Sequence, residues 1–273
     1  MRVIRLNSRG LLFAFAIILA CASFGIAAEP ELTKDQIKEF LLKAKVIKSK
    51  QTKKGITQPY RLTLSDGTIT HEAIFQAVDQ RKTTMQLADG RTEINFVDSY
   101  KYNVAGYILA EMVGIDDMIP VHVERKWNGK IGSMSWVIPM KMDEGERLER
   151  KISAPNTDVW NKQMYRIRVF DELVYDTDPN LTNFLIEENF KLWRVDFSRA
   201  FRLYKDLKNP KNLVQVDRQL LEKLKALNEA EVREKTKNLL TTPEVQGVMA
   251  RRDKIVQYFQ KLIAEKGEGA VLF

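Results

Sequence analysis

Between Val169 and Arg202 the chain reads VFDELVYDTDPNLTNFLIEENFKLWRVDFSRAFR, and three of its side chains, Asp178, Asn183 and Asp196, have the types and spacing to handle a metal and a phosphate. A helical stripe of Trp160, Met164, Ile167, Phe170 and Val174 runs into a polar loop holding Asp176, Asp178, Asn180 and Asn183. The pattern is expected to stop there because Pro179 disfavours helix at the residue before it. Two apolar runs, 184–186 and 192–195, then flank 187–191 as a short hairpin. The hairpin reverses the chain and can return Asp196 to the side of Asn183, so that a carboxylate and an amide oxygen face one cation. Hard oxygen donors of this kind suit Mg²⁺ or Mn²⁺, with phosphate oxygens completing the shell. Asp178, five positions before Asn183, is then placed to orient a hydroxyl nucleophile. Asp and Asn are also ordinary turn residues; the preceding helix, the hairpin and the Asp-Phe pair at its end distinguish this loop from a turn.

The runs Asp176-Thr177-Asp178-Pro179-Asn180, Asn183-Phe184-Leu185-Ile186 and Leu192-Trp193-Arg194-Val195-Asp196-Phe197-Ser198-Arg199-Ala200-Phe201 resemble an atypical kinase-fold group. That group includes the HipA-type kinases, the phosphatidylinositol kinases and the secretory-pathway kinases, and the likeness is greatest to its exported bacterial members. Its usual motif is N-x-D-R-x-x-x-N followed by I-D-H or V-D-F. The resemblance covers roughly residues 55–202. It implies an α+β, two-lobed protein-kinase-like fold, with a small β-rich N-lobe over 29–139 and a mainly helical C-lobe over 140–273. It also implies ATP or another nucleotide in the cleft, Asp178 as catalytic Asp, and Asn183 and Asp196 as metal ligands. Asp176, where Asn is usual, and Pro179, where Arg is usual, depart from the pattern.

The N-terminal half departs further. The resemblance aligns 73–76 with the strand that ends in a phosphate-binding Lys, and there the chain has Gln76. The helix that should supply the partner Glu holds Asn103. A neutral Gln···Asn hydrogen bond can keep the geometry but gives up a charge, and such contacts are commonly worth a few kcal/mol in a transition state. Lys101 or Arg61 could substitute from nearby. The loop around Gly55 lies where a phosphate-covering loop is expected, although a single Gly equally fits an ordinary turn.

The elements that must position these residues are readable in part. Thr33-Lys34-Asp35-Gln36 spells a capping box, and Ile37, Phe40, Leu41 and Ala44 follow at helical spacing. Strand-like alternation at 61–64, a turn at 65–68 and a β-type run over 71–78 predict antiparallel strands. Asp98 or Ser99 can cap a helix carrying Val104, Tyr107, Ile108 and Met112, which Gly114 stops. Asn128-Gly129 between 121–127 and 130–138 predicts a two-residue type I′ hairpin. The second half is mostly helical, and its last helix starts at Thr242-Pro243-Glu244 and stops at Gly267.

Composition limits the other options. The 273 residues hold one Cys and two His, which excludes disulfide scaffolds and HExxH-type metal sites. His71 and His122 sit in strand-like runs and read as surface or satisfied core residues. Arg2, Arg5 and Arg9, the apolar run 11–20 and the small residues before Glu29 have the order of an export signal ending near Ala28. An uncleaved membrane anchor is an alternative, and 18–21 resembles a lipobox that would lipidate Cys21. Loss of 1–28 removes three Arg and no acid, so the net charge of +8 becomes +5. Lys and Glu are interleaved on helical faces, so no nucleic-acid partner is expected. The sequence therefore predicts an exported, envelope or periplasmic, kinase-like phosphotransferase acting on a protein or small-molecule hydroxyl. Its rivals are a pseudokinase that regulates an envelope partner and a periplasmic binding protein without nucleotide.

Overall fold

The computed structural model describes residues 32–52, 59–86, 90, 92–178 and 180–273. The N-terminal segment 1–31 with Cys21, the Gly55 loop and Pro179 lie outside the described residues. Thr33–Phe273 forms one unit.

It opens with α1 (Lys34–Lys43), where the Thr33 hydroxyl accepts from Gln36 N–H and the Gln36 side chain accepts from Thr33 N–H, both arms of the expected capping box. At the other end of α1, Arg125 donates to the carbonyls of Leu41 and Ala44 at 2.7 Å each, which satisfies helix-end acceptors that have no partner within the helix.

Five antiparallel strands follow as one sheet: β1 (Lys45–Gln51), β2 (Tyr60–Ser65), β3 (Thr70–Gln76), β6 (His122–Trp127) and β7 (Lys130–Trp136), in the order β1-β2-β3-β7-β6. Period-2 alternation decides its faces. Leu62, Leu64, Ala73, Phe75 and Met134 are buried in the core, while Ile74, Gln76, Ser133 and Ser135 line a cleft on the other side. The β6–β7 turn has Asn128 and Gly129 at φ +48° and +76°, the left-handed pair a type I′ turn requires.

Between β3 and β6 the chain adds a separate two-stranded hairpin, β4 (Asp79–Gln86) and β5 (Thr92–Ser99), which the sequence pattern does not announce. Then comes α2 (Tyr100–Val113), capped by the Ser99 hydroxyl and ended by Gly114 at φ +74°. Helix α2 is buried on nearly every side, as a helix between two layers must be.

After β7 the structure is mainly helical. The short strand β8 (Met142–Asp143) and α3 (Glu144–Glu149) precede α4 (Thr157–Val174), capped by Asn156. The strands β9 (Phe184–Ile186) and β10 (Leu192–Arg194) form the expected hairpin, and β9 pairs on its other side with β8. The remainder is α5 (Arg218–Ala226), α6 (Glu229–Lys235), α7 (Thr242–Lys266) and α8 (Glu268–Val271). Helix α4 ends in a left-handed turn at Tyr175, φ +50°, not at the proline four residues on.

Candidate active site

The loop after α4 is built on a buried ion pair. Arg194 of β10 contacts Asp176 and lies 3.2 Å from Asp171, and Arg194 and Asp176 are both enclosed. Burial pushes the Asp176 carboxyl up to about 6 against the opposing pull of Arg194. The same carboxylate accepts from Asp178 N–H at 3.0 Å, so the Asp at the position where Asn was expected fixes the backbone of Asp178. Asn180 accepts from Thr182 N–H at 3.0 Å and starts a single 3₁₀ turn, 181–183, that leads into β9. At the far end of the hairpin, Val195 N–H donates to the Asn183 carbonyl at 2.9 Å. Asp196, at φ +60°, therefore follows directly beside Asn183. Asp178, Asn183 and Asp196 all line one cleft of about 1340 Å³ between the five-stranded sheet and the β9–β10 hairpin.

From the sheet side, Gln76 ends β3 and Asn103 projects from the first turn of α2. Asn103 Nδ2 donates to Gln76 Oε1 at 2.6 Å, and Asn103 Oδ1 accepts from Phe197 N–H at 2.6 Å. The amide thus links the last strand residue of β3 to the residue after Asp196. Lys101 does not reach this place: its ammonium sits 2.9 Å from Asp79, and it is not among the cleft-lining residues. The cause is helical geometry, because two positions before Asn103 on α2 points about 160° away around the axis. Arg61 lines the cleft but is held in a two-pronged pair with Glu72, its Nε 2.9 Å and its Nη2 2.5 Å from the carboxylate. In this structure both cations are thus paired with carboxylates, Lys101 with Asp79 and Arg61 with Glu72.

Two further groups at the site were not singled out from the sequence. Asp98, read there only as a candidate helix cap, leaves the cap to Ser99 and lines the cleft with one buried oxygen, Oδ1, that has no hydrogen-bond partner. Burial, with Asp196 and Asp178 nearby, holds its carboxyl above the usual range, while the Ser198 hydroxyl and Arg199 pull it down. Arg199, three residues after Asp196, pairs with Glu93 of β5 and approaches Asp178. Arg202 pairs with the same Glu93 and donates to the Thr177 hydroxyl at 3.2 Å. Short-range patterning could not find these contacts, since Glu93 and Arg199 are 106 positions apart.

His122 also lines the cleft, buried, with Nδ1 donating to the Pro120 carbonyl at 2.7 Å. Burial holds it neutral, with its pKa near 4. His71 stacks on Trp136, ring centres 3.4 Å apart.

The donor set fits a hard divalent cation. Asn183 and Asp196 offer oxygens, and the unpartnered Asp98 oxygen and the several carboxylates favour positive charge nearby. Among the described residues no group of three His, Cys, Asp or Glu side chains is placed to hold a metal by itself. A cation here would need oxygens from a bound phosphate as well.

Solved structures share this architecture. The structure of hydra Fam20 with sugar superposes with a TM-score of 0.66 over 88% of this chain and 91% of that one, at 14% identity. The Golgi casein kinase with Mn/ADP bound gives 0.61 over 88% and 78%, at 10% identity. A Helicobacter pylori proinflammatory kinase, CtkA, gives 0.50 over 81% and 97%, at 8% identity. No family model matches the sequence, and no curated protein matches it. The chain therefore has the atypical kinase-like fold expected from its motifs: α+β, with an antiparallel sheet followed by a mainly helical part.

Proposed function

We propose that this chain is an exported kinase-like phosphotransferase that binds ATP or another nucleotide with Mg²⁺ or Mn²⁺ and transfers a phosphoryl group to a hydroxyl on a protein or small molecule. The nucleotide lies between an N-lobe of residues 29–139 and a C-lobe of residues 140–273. The observation that carries this reading is the placement of Asp178, Asn183 and Asp196 along one cleft, by the Asp176–Arg194 ion pair and the β9–β10 hairpin. Asn183 and Asp196 would hold the divalent cation, which supplies charge to offset that of the phosphates. Asp178 orients the acceptor hydroxyl and takes its proton as the oxygen attacks the terminal phosphorus. The bond from that phosphorus to the bridging oxygen breaks, and the nucleoside diphosphate leaves. Calorimetry with Mg²⁺-ATP or Mn²⁺-ATP tests this directly, and protein that binds neither sinks it.

A pseudokinase acting in the cell envelope is the second reading, favoured by one observation. The amide pair Gln76···Asn103 occupies the place of a Lys–Glu pair and brings no charge to the phosphates. The double substitution Gln76→Lys with Asn103→Glu separates the two. A large gain in transfer identifies a weakened enzyme, and transfer by the unmodified protein excludes the pseudokinase outright.

A further inference from the structure

The cleft is lined by four carboxylates, of Glu72, Asp98, Asp178 and Asp196, and the strand position that would face the phosphates is a neutral Gln76. A triphosphate entering there needs positive charge beyond that of the metal. Among the described residues lining the cleft, the basic side chains are Arg61, Lys130 and Arg199. Arg61 is held by both prongs of Glu72, and Lys130 is exposed at the β6–β7 turn. Arg199 is different. Its side chain is 18% exposed, its Nη2 is anchored on Glu93, and its guanidinium lies 5.3 Å from the centre of the Phe96 ring. The other prong, Nη1, stands 3.9 Å from Asp178 Oδ2, too far for a hydrogen bond. Its backbone is fixed as well, because the Thr177 N–H and hydroxyl both donate to the Arg199 carbonyl, at 3.3 and 3.0 Å. A rigid two-pronged donor is thus held at one prong, with the other facing the carboxylate that receives the acceptor hydroxyl.

We infer that Arg199 binds the terminal phosphate of the nucleotide through Nη1, in place of the missing strand lysine; this rests on the proposed function above. The group transferred must come within reach of Asp178, and Nη1 is already there. Anchoring by Glu93 and Phe96 means that little side-chain freedom is lost on binding, and a charge-assisted contact to phosphate is strong and directional.

The test compares Mg²⁺-ATP with Mg²⁺-ADP on the full protein by calorimetry. Arg199→Gln should weaken ATP about tenfold or more, the size of one charged hydrogen bond, and ADP by less than about threefold. Arg199→Lys should recover part of the loss. In the unmodified protein, phenylglyoxal labelling of Arg199, read by peptide mass, should be blocked by ATP and not by ADP, which keeps the inference open to refutation if the Gln variant does not fold. Equal weakening of both nucleotides, or equal protection by both, would mean that Arg199 only supports the loop and would overturn the inference. Unchanged ATP affinity in Arg199→Gln would do the same while leaving the kinase reading intact. Unmodified protein that binds no nucleotide overturns both.

Discussion

Asp178 and Asp196 are separated in sequence by a 3₁₀ turn and the β9–β10 hairpin yet share a cleft, and their roles should separate in a single pair of variants. Asp196→Ala should remove most Mg²⁺-nucleotide binding, because the proposed metal ligand is lost, whereas Asp178→Ala should leave binding nearly unchanged and abolish transfer. The opposite ranking, in calorimetry and phosphoryl-transfer assays, would exchange the two assignments. His122 carries a different prediction. It is neutral in the fold, with a pKa near 4, and near 6.5 once unfolded. Its contribution to stability is complete above about pH 6.5 and falls as the pH drops towards 4, because only the unfolded chain takes up the proton in that window. The stability difference between the unmodified protein and His122→Asn, measured by urea unfolding, should therefore move against the unmodified protein by about 2 kcal/mol between pH 7 and pH 5. A constant difference would mean that the imidazole titrates alike in the folded and the unfolded chain. Asp176 acts with the opposite sign: its raised carboxyl makes its contribution greatest at low pH and lost as the pH rises through about 6. Subtracting the two titrations of one variant pair cancels it.

At the scale of elements, the tightest packing point beside the site is between β7 and β3. A Cβ on Gly132 would lie 2.4 Å from the Gln76 carbonyl oxygen and 2.8 Å from the Phe75 ring. Gly132→Ala should cost about 1–3 kcal/mol, because strand backbone must shift to admit the methyl group. It should also weaken nucleotide binding, since the strand that moves carries Gln76. A melting temperature equal to that of the unmodified protein would show that β3 yields freely. The elements that sequence made legible are those whose signals are local. The Thr33 capping box, the Asn128-Gly129 turn, the Thr242-Pro243-Glu244 start, whose cap is Thr241 and not Thr242, and the β9–β10 hairpin all depend on residues within a few positions of one another. The β4–β5 hairpin escaped because its first strand has almost no buried face. All of β4 is exposed except Met85, so no alternation of apolar and polar residues marks it. The site was legible to the same degree. Asp178, Asn183 and Asp196 share one short motif, whereas Asp98 and Arg199 join them through contacts that only the fold creates.

At the scale of the whole molecule, helix α7 and helix α2 are tied by one buried carboxylate. Glu244, in the first turn of α7, accepts from Thr241 N–H at 2.7 Å and from the Tyr102 hydroxyl of α2, with Arg81 at 3.4 Å. Glu244→Ala removes a helix cap and leaves a buried hydroxyl without its acceptor, which together should cost about 2–4 kcal/mol in urea unfolding. A loss below about 0.5 kcal/mol, the range of ordinary surface changes, would mean that the helices hold together without this tie. Arg251 makes a similar join deeper in, donating to the carbonyls of Leu173 and Arg202 at 2.9 and 3.0 Å. Beside these charged joins, the chain of contacts from Gln76 through Asn103 to Phe197 N–H is made wholly of amides. Protons cannot be added to or taken from an amide at any pH a folded protein meets, and dissolved salt finds no net charge there to screen. The grip of α2 on the segment after Asp196 should hold in acid and in brine alike, set by the fit of donors to acceptors and indifferent to the water outside.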